Sequence, residues 1–347
     1  MHSPHPVFGS FMTRRIAACI LLTSFSIPLS GCQKKHFIIQ EVKAISGNAA
    51  AQYNTANSYF DGKGVTKNTA KGIEWLKKSA DQEYLPAIFA LGMRYFSGEG
   101  VKTDFKQAMK YLQVVVDQSN NPAAQYVLGI GYLQGQGVPK DMAKGIDLLM
   151  SAAHQGNSAA LVAIGCAYYN GTGLSASQEA ALQYFRKAAE AGNSDGQYNL
   201  GFAYLNGISS KVKGYAAVDD GREALKWFQK AADQGNSAAQ KAIGAAYYYG
   251  IGVRVDQEKG LEWYRKAAVQ GNTDAQYALG SAYYFGGGVP KDPVEGLAWF
   301  YLSNESGEHQ GICHLAEEEI GPDGSNKAKL RAKEIREKTM SPSTKTE

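Results

Sequence analysis

A surplus of charge of either sign is missing from this sequence. Across 347 residues, 36 Lys and Arg stand against 32 Asp and Glu. Two of the cations, Arg14 and Arg15, lie in a leading segment without acids, which leaves 34 against 32 for the rest. Nucleic-acid binding draws on a net basic footprint, so that class is not expected. Cysteine is scarce, with only Cys19, Cys32, Cys166 and Cys313. That is too few for a disulfide framework, and no bridge between the widely separated Cys166 and Cys313 is expected. Catalytic patterns are also missing: no His-Glu-x-x-His, no Ser–His–Asp constellation and no isolated carboxylate pair stands out. "HQGICH" (309–314) gathers two histidines and Cys313, but no fourth ligand follows at metal-site spacing. His154, at a variable helix end, is expected to be solvated or to cap. No metal, cofactor or catalytic residue is expected, and the chain reads as a non-enzyme.

Nor does any apolar run reach bilayer-spanning length. The nearest is "IAACILLTSFSIP", which follows "MTRR" (Met12 to Arg15). A positive start and a short apolar stretch make a secretory signal. Residues before Met12 fit it poorly, which leaves Met12 as an alternative start. "LSGC" (Leu29 to Cys32) then resembles the bacterial lipobox, and Cys32 would become the acylated N-terminus. The alternatives are an ordinary signal peptide that happens to end at a cysteine, or a buried apolar strand; position, charge, apolar length and lipobox together favour acylation. Each buried CH₂ contributes about 0.8 kcal/mol, so several acyl chains anchor a protein where one alone is marginal. Gln33, rather than an aspartate, follows the cysteine. In enteric-type bacteria that resembles sorting to the outer membrane, facing the periplasm. The expected organisation is a signal peptide over 1–31, a lipidated N-terminus and short tether over 32–48, a repeat region over 49–310, and a cap with a polar tail over 311–347.

Glycine, by contrast, is abundant and regular. "YLQGQGV" (132–138), with Lys140 just beyond, has the look of a phosphate-cradling loop. It recurs as "YFDGKGV", "YFSGEGV", "YYNGTGL", "YYYGIGV" and "YYFGGGV", and in degenerate form as "YLNGISS". The leading tyrosines are 59, 95, 132, 168, 204, 247 and 283, mostly 36 residues apart. One phosphate site does not need six copies, and a P-loop needs a preceding strand. A period of this length is the mark of a solenoid. Each unit reads as helix A, a Gly-x-Gly turn, helix B and a Gly-Asn stop. Gly129, Gly244 and Gly280 lie inside helix A, with Gly145, Gly260 and Gly296 inside helix B. Glycine costs roughly 1 kcal/mol against alanine there, which points to helices packed too closely for a side chain. The stripe Trp75, Tyr111, Tyr184, Trp227, Trp263, Trp299 reads as inter-helix core.

The pattern A-x-x-x-L-G-x-x-Y-x-x-G-x-G-V followed by A-x-x-W-x-x-K-A-A-x-x-G resembles Sel1-like repeats, relatives of the tetratricopeptide repeat. "AQYALGSAYYFGGGVPKDPVEGLAWF" (275–300) matches it nearly position for position. The resemblance covers about residues 49–310. It implies an all-α, right-handed superhelical solenoid of about seven helix-turn-helix repeats with a C-terminal capping helix, in which helix A lines the concave surface. Some cysteine-rich Sel1-like proteins are associated with β-lactam chemistry, but their paired cysteines are absent here.

A helix-A row at spacing i, i+4, i+7 varies between repeats and stays aromatic, and that spacing shares one helical face. From it Phe96, Tyr126, Tyr169, Phe202, Tyr248, Tyr277 and Tyr284 are the expected partner-binding residues, with the groove placed towards Tyr248 and Tyr284. The alternative is that part of the row is core between repeats. The 43-residue spacing after Tyr204 marks an insertion in "NGISSKVKGYAAVDDGRE" (206–223), with Lys211, Lys213 and Tyr215 as contact candidates or a neutral loop. In the cap, Leu330 and Ile335 share one side of "NKAKLRAKEIREK" (326–338). The functional expectation is a protein-binding lipoprotein that inhibits or confers immunity to an effector delivered to the periplasm, such as a phospholipase. An envelope scaffold for polysaccharide export or secretion is the second reading, and a peptidoglycan- or β-lactam-related enzyme the third.

Overall fold

The computed structural model describes residues 29–207, 220–304 and 307–340, with side chains from residue 33 to 339. These residues form sixteen helices and no strand. They fall into two compact units, residues 1–152 and 153–347. The first contains α1 (Leu29–Ile45), α2 (Ala49–Asp61), α3 (Thr69–Ala80), α4 (Leu85–Ser97), α5 (Phe105–Ser119), α6 (Pro122–Gln134) and α7 (Met142–His154), whose last two residues pass the boundary. The second contains α8 (Ser158–Asn170), α9 (Gln178–Glu190), α10 (Ser194–Leu205), α11 (Asp220–Asp233), α12 (Ser237–Tyr249), α13 (Gln257–Ala268), α14 (Thr273–Phe285), α15 (Pro293–Ser303) and α16 (Gln310–Met340). Within each unit successive helices pack on one another, the layered arrangement of a helical solenoid. The even-numbered helices α2 to α14 are helix A of each repeat, and the odd-numbered helices α3 to α15 are helix B.

The Gly-x-Gly motif is spent on the backbone. Gly135 ends α6 in the left-handed region at φ 71°, its N–H donating to the Gly131 carbonyl. The Gln136 N–H donates to the same carbonyl at 2.9 Å. Gly137, also at φ 71°, lies so close to α5 that a Cβ would fall 2.3 Å from the Phe105 carbonyl carbon. The loop closes where the Asp141 N–H donates to the Tyr132 carbonyl at 2.9 Å, and the Asp141 carboxylate caps α7 through the Lys144 N–H. The N–H groups of Gly135, Gln136 and Asp141 are thus already paired, and none of this geometry cradles a phosphate. The Gly-Asn pair divides its work: Gly156 lies past the end of α7, whereas Asn157 starts α8, its Oδ1 accepting from the Ala160 N–H at 2.9 Å. The asparagine is therefore the N-cap of a new helix as well as part of the stop, as at Asn193, whose N–H donates to the Ala188 carbonyl of the preceding helix at 3.1 Å.

Helices A and B meet backbone to backbone. A Cβ on Gly260 would stand 2.9 Å from both the Gly244 carbonyl oxygen and the Tyr248 nitrogen. Gly129 with Gly145, and Gly280 with Gly296, repeat the approach. The core between the helices is filled by Leu76, Leu112, Phe228 and Phe300, each buried. The Trp75 stripe lies one residue earlier, so only Trp299 is buried; the rest is half-buried, as with Trp75, Trp227 and Trp263 beneath Lys78, Lys230 and Lys266 at 3.9–4.5 Å. The stripe is thus the flank of the inter-helix core: Trp75, Tyr111, Trp227 and Trp263 pack against it from the side, and the three tryptophans carry cations on their outer faces.

Buried glutamines tie repeat to neighbour at five of the seven repeats, Ile88 and Leu161 standing at the position in the other two. Gln276 Nε2 donates to the Ala268 carbonyl at 3.1 Å, and Gln52 Nε2 to Ala44 at 3.1 Å. Gln82, Gln234 and Gln270, just past the ends of helices B, donate to Gln52, Gln197 and Gln240 at 2.6–2.8 Å. A buried amide left unpaired costs about 1–3 kcal/mol, so this ladder holds the register of the stack.

Both ends are closed by helices. Residues 33–45 belong to α1 and are not a tether. Phe37 and Ala44 are buried seven residues apart on one face, with the Phe37 ring edge-on to Tyr59 at 5.4 Å and the Tyr59 hydroxyl donating to Glu41. At the other end α16 kinks at Gly321 before Pro322. Its buried side is Cys313, Ala316, Ala328, Ala332 and Ile335, while Leu330 points into solvent, which corrects the expected pairing of Leu330 with Ile335. Polar clasps hold it: the Tyr284 hydroxyl donates to Glu319, Tyr301 to Glu317 at 2.5 Å, and Arg331 pairs with Glu295 at 2.7 Å.

This packing makes two predictions. Gly260→Ala is expected to lose about 1–3 kcal/mol, although alanine is the better helix former, because α12 and α13 must part. Gly311→Ala, where a Cβ meets nothing within 4 Å, is expected to be neutral or to gain up to about 1 kcal/mol. Urea midpoints of the two variants decide the point; equal shifts would sink the close-approach argument. The second concerns pH. The Tyr284 hydroxyl, and after it Lys291, hold Glu319 below the usual carboxylate range, while that hydrogen bond and then burial push Tyr284 up to about 12. The Glu319 contribution is complete above about pH 4.3 and is lost as pH falls through the lowered folded value. The Tyr284 contribution is complete below about pH 10 and is lost as pH rises towards 12. Melting temperatures of wild type and Tyr284→Phe should therefore differ most at neutral pH and converge in both arms.

Candidate functional site

Helix A carries alternating obligations: the Ala, Leu/Ile and Gly positions turn towards helix B, which leaves the i, i+4, i+7 row for the other side. In the first unit that side is already used. Phe96 and Tyr126 are half-buried and packed against the unit's core, Phe96 edge-on to Phe105 at 5.5 Å. There the core alternative holds, and these two residues offer little free surface.

The second unit differs. Tyr169, Phe202 and Tyr277 are exposed on α8, α10 and α14, at 36–40%. Tyr169 and Tyr198 approach Phe202 with ring centroids 6.5 and 6.4 Å away, which makes a short aromatic run across α8 and α10. Tyr277 stacks on His309 at 4.5 Å, and the His309 ring is fixed by Nδ1 against the Ser303 carbonyl at 3.1 Å. Rigid, half-exposed rings of this kind lose little entropy on being covered.

The row bends away from expectation at its far end. Tyr284 is 6% exposed, its ring against Phe300 and its hydroxyl held by Glu319 of the capping helix. It cannot be a surface contact, and its place in the groove is withdrawn. Tyr248 is half-buried: its ring stands 6.1 Å from Tyr264, and its hydroxyl lies where a Cβ of Gly287 would be, in the next turn. Burial pushes its phenol up. In α12 and α14 the i+7 residue lies under the next repeat's turn or the cap, and that contact consumes it; Tyr169, at the same position of α8, stays exposed.

The residues that take the exposed role are one position further on. Tyr249 and Phe285 are each 68% exposed, the most open aromatic rings among the described residues. Ile251 and Val255, in the turn after α12, are exposed beside them in sequence. Comparing the repeats could have found them, since Asp61, Ser97, Gln134 and Asn170 occupy the position of Tyr249 and Phe285. Aromatics where the other copies are polar are the legible signal.

Chemistry finds no support in the remaining candidates. Among the described residues no three His, Cys, Asp or Glu side chains are grouped to hold a metal ion. His309 is turned to Tyr277, Cys313 is buried with its thiol pushed up to about 11, and exposed His314 faces Glu318 at 3.2 Å. Cys166 is half-buried, unbridged and also raised by burial, so neither thiol has the low pKa of a nucleophile. Lys211, Lys213 and Tyr215 lie outside the described residues, as does the segment before Leu29. Cys32 falls in the first turn of α1, with its side chain outside the description.

Comparison with known proteins agrees with the geometry. Seven segments match the family model described as Sel1 repeat: residues 49–84, 85–114, 122–157, 158–193, 194–236, 237–272 and 273–308. A Sel1 repeat protein of Oxalobacter formigenes superposes with a TM-score of 0.63 at 30% identity, covering 75% of this chain and all of that one. An ERAD-associated E3 ubiquitin-protein ligase component, HRD3B of Arabidopsis thaliana, is 31% identical over 114 residues, 32% of this chain. This chain spans only 18% of that relative's length. The immunity protein Pa5087 of Pseudomonas aeruginosa is similar at 22% identity and a TM-score of 0.42, over 63% of this chain and 81% of its own; that level carries no functional argument.

Proposed function

The chain belongs to the Sel1 repeat family, a protein-interaction fold, and we propose that it acts without catalysis, by binding a protein partner on the aromatic face of its second unit. The observation that carries this is the set of exposed rings on successive helices A of that unit: Tyr169, Phe202 and Tyr277 from the row, with Tyr249 and Phe285 one position past its end. Large aromatic rings in this setting are the residues that dominate interface energies. No matching constellation of activated nucleophile, base or metal ligands accompanies them among the described residues.

The narrower reading is an inhibitor or immunity protein, lipid-anchored through Cys32 on the periplasmic face of the outer membrane. What supports it is the "MTRR" start, the short apolar run, "LSGC" and Gln33, together with a binding face on a fold whose lipoprotein members accompany secreted effectors. An anchored chain would meet a lipid-degrading enzyme such as a phospholipase beside its substrate. An envelope scaffold for export or secretion uses the same face on a different partner.

The test is affinity capture from envelope extract with native protein and with Tyr249→Ala/Phe285→Ala, both checked by circular dichroism for helix content. The expected result is an enzyme captured by the native chain and inhibited by it in stoichiometric amount. The variant should bind weaker by about 2 kcal/mol or more, roughly thirtyfold. Export or secretion components in place of an enzyme would establish the scaffold. Substrate turnover by the purified chain would overturn both.

A further inference from the structure

Terminal repeats of a solenoid normally turn a polar face outward. The C-terminal cap does for the most part: exposed Lys329, Lys333 and Glu334 line α16, with Lys333 paired to Glu337, and its exposed leucines, Leu315 and Leu330, stand singly on either side of the kink. The N-terminal cap does not. Beyond the buried side of Phe37 and Ala44, α1 shows Ile38, Ile39 and Ile45 to solvent, Ile45 at 64%. At 100° per residue Ile38, Val42 and Ile45 share an arc of about 60°, with Ile39 next to it. Exposed Lys34 borders the arc on one side, Lys35 lies between the arc and Ile39, and exposed Lys43 lies beyond Ile39. The helix has one acid, Glu41, and it is turned inward to accept from the Tyr59 hydroxyl at 3.3 Å. The outer face therefore mixes isoleucines with lysines, one of them central and one at each margin, and presents no anion.

From this we propose that the outer face of α1 lies flat on a bilayer, its isoleucines at the acyl boundary and Lys34, Lys35 and Lys43 among anionic headgroups. An amphipathic helix with lysine margins suits that interface. Spanning is excluded for it, since no helix among the described residues is long and apolar enough to cross a membrane. A second copy of the chain is a poorer occupant, because two such faces would set lysines against lysines with no acid to meet them. The sequence preceding α1 directs it the same way: the apolar run ends where the helix begins, and Cys32 is two residues before Lys34. The inference rests on the reading of Cys32 as acylated, which would hold this helix, rather than a flexible tether, at the lipid surface. The anchor would then orient the protein as well as retain it.

The test uses the full chain, extracted from membranes and reconstituted in vesicles of phosphatidylethanolamine and phosphatidylglycerol. A nitroxide is placed at Ile45→Cys, or at Lys110→Cys on the exposed side of α5 as control, in a Cys166→Ser background. Mass analysis of the N-terminal peptide reads acylation separately. The label at 45 should collide with oxygen in preference to a water-soluble nickel chelate, and the label at 110 the reverse. Nickel access at 45 equal to that at 110, on acylated protein, would overturn the proposal; spin–spin broadening at 45 would overturn it in favour of a second copy. If Cys32 carries no acyl mass, the anchor reading fails by itself and the face is tested on that chain by vesicle sedimentation. Binding weakened about tenfold or more by Ile38→Glu/Ile45→Glu sustains the face, and no binding overturns it.

Discussion

Backbone contact between the two helices of each repeat is the constraint on which the rest of this structure depends. Where Gly244 meets Gly260, the carbonyl of one helix occupies the space a side chain of the other would need. Helices that close leave one layer of large side chains between them, which is why Phe228 and Tyr264 are buried while the residues on either flank are not. The glycine turn has the same origin, since a short loop must reverse the chain between helices almost touching. Every other surface of helix A is then assigned: one side to its own helix B, another to the neighbouring repeat, and a remainder to solvent or a partner.

That remainder is unequal. In the first unit, aromatic residues of the row are drawn into the core, and the equivalents of Tyr249 are polar, as with Ser97 and Gln134. In the second, Tyr169, Phe202 and Tyr277 of the row stay open, Tyr248 and Tyr284 are covered, and Tyr249 and Phe285 add exposed rings. A binding face in a solenoid is thus made by what a repeat is permitted to vary, and variation collects at the two or three positions that neither helix B nor the neighbour claims.

Much of this is legible in the sequence. The spacing of the tyrosines marks the repeats, and interior glycines such as Gly129 announce close packing without any distance being known. Tyr284 is misplaced by periodicity, which puts a residue on a side of a helix without saying what will cover that side; α16 covers this one. Tyr248 and Tyr249 differ by 100° around their helix, and only the seating of the next turn decides which is consumed. Residues 33–45 read as a tether although Phe37 and Ala44 carry a helical interval, because a helix that caps another has no repeat of its own to be compared with. The buried glutamines escape sequence reasoning since polar residues at recurring positions suggest surface; their partners are carbonyls at the ends of helices B, which no pattern of side chains displays.

The glutamine ladder also bears on how such a chain can change its length. Gln240 receives the amide of Gln270, thirty residues on, and itself reaches back to Ala232. In the second unit the carbonyls of Ala189, Ala232 and Ala268 thus meet Gln197, Gln240 and Gln276 in turn, each repeat offering the next the same acceptor. Removing or copying one whole period would rejoin matching halves, whereas any other increment leaves a donor facing the wrong surface. Inheritance by duplication is therefore quantised: such a chain grows and shrinks in whole steps, with intermediate lengths tolerated only where a loop stands clear of the ladder.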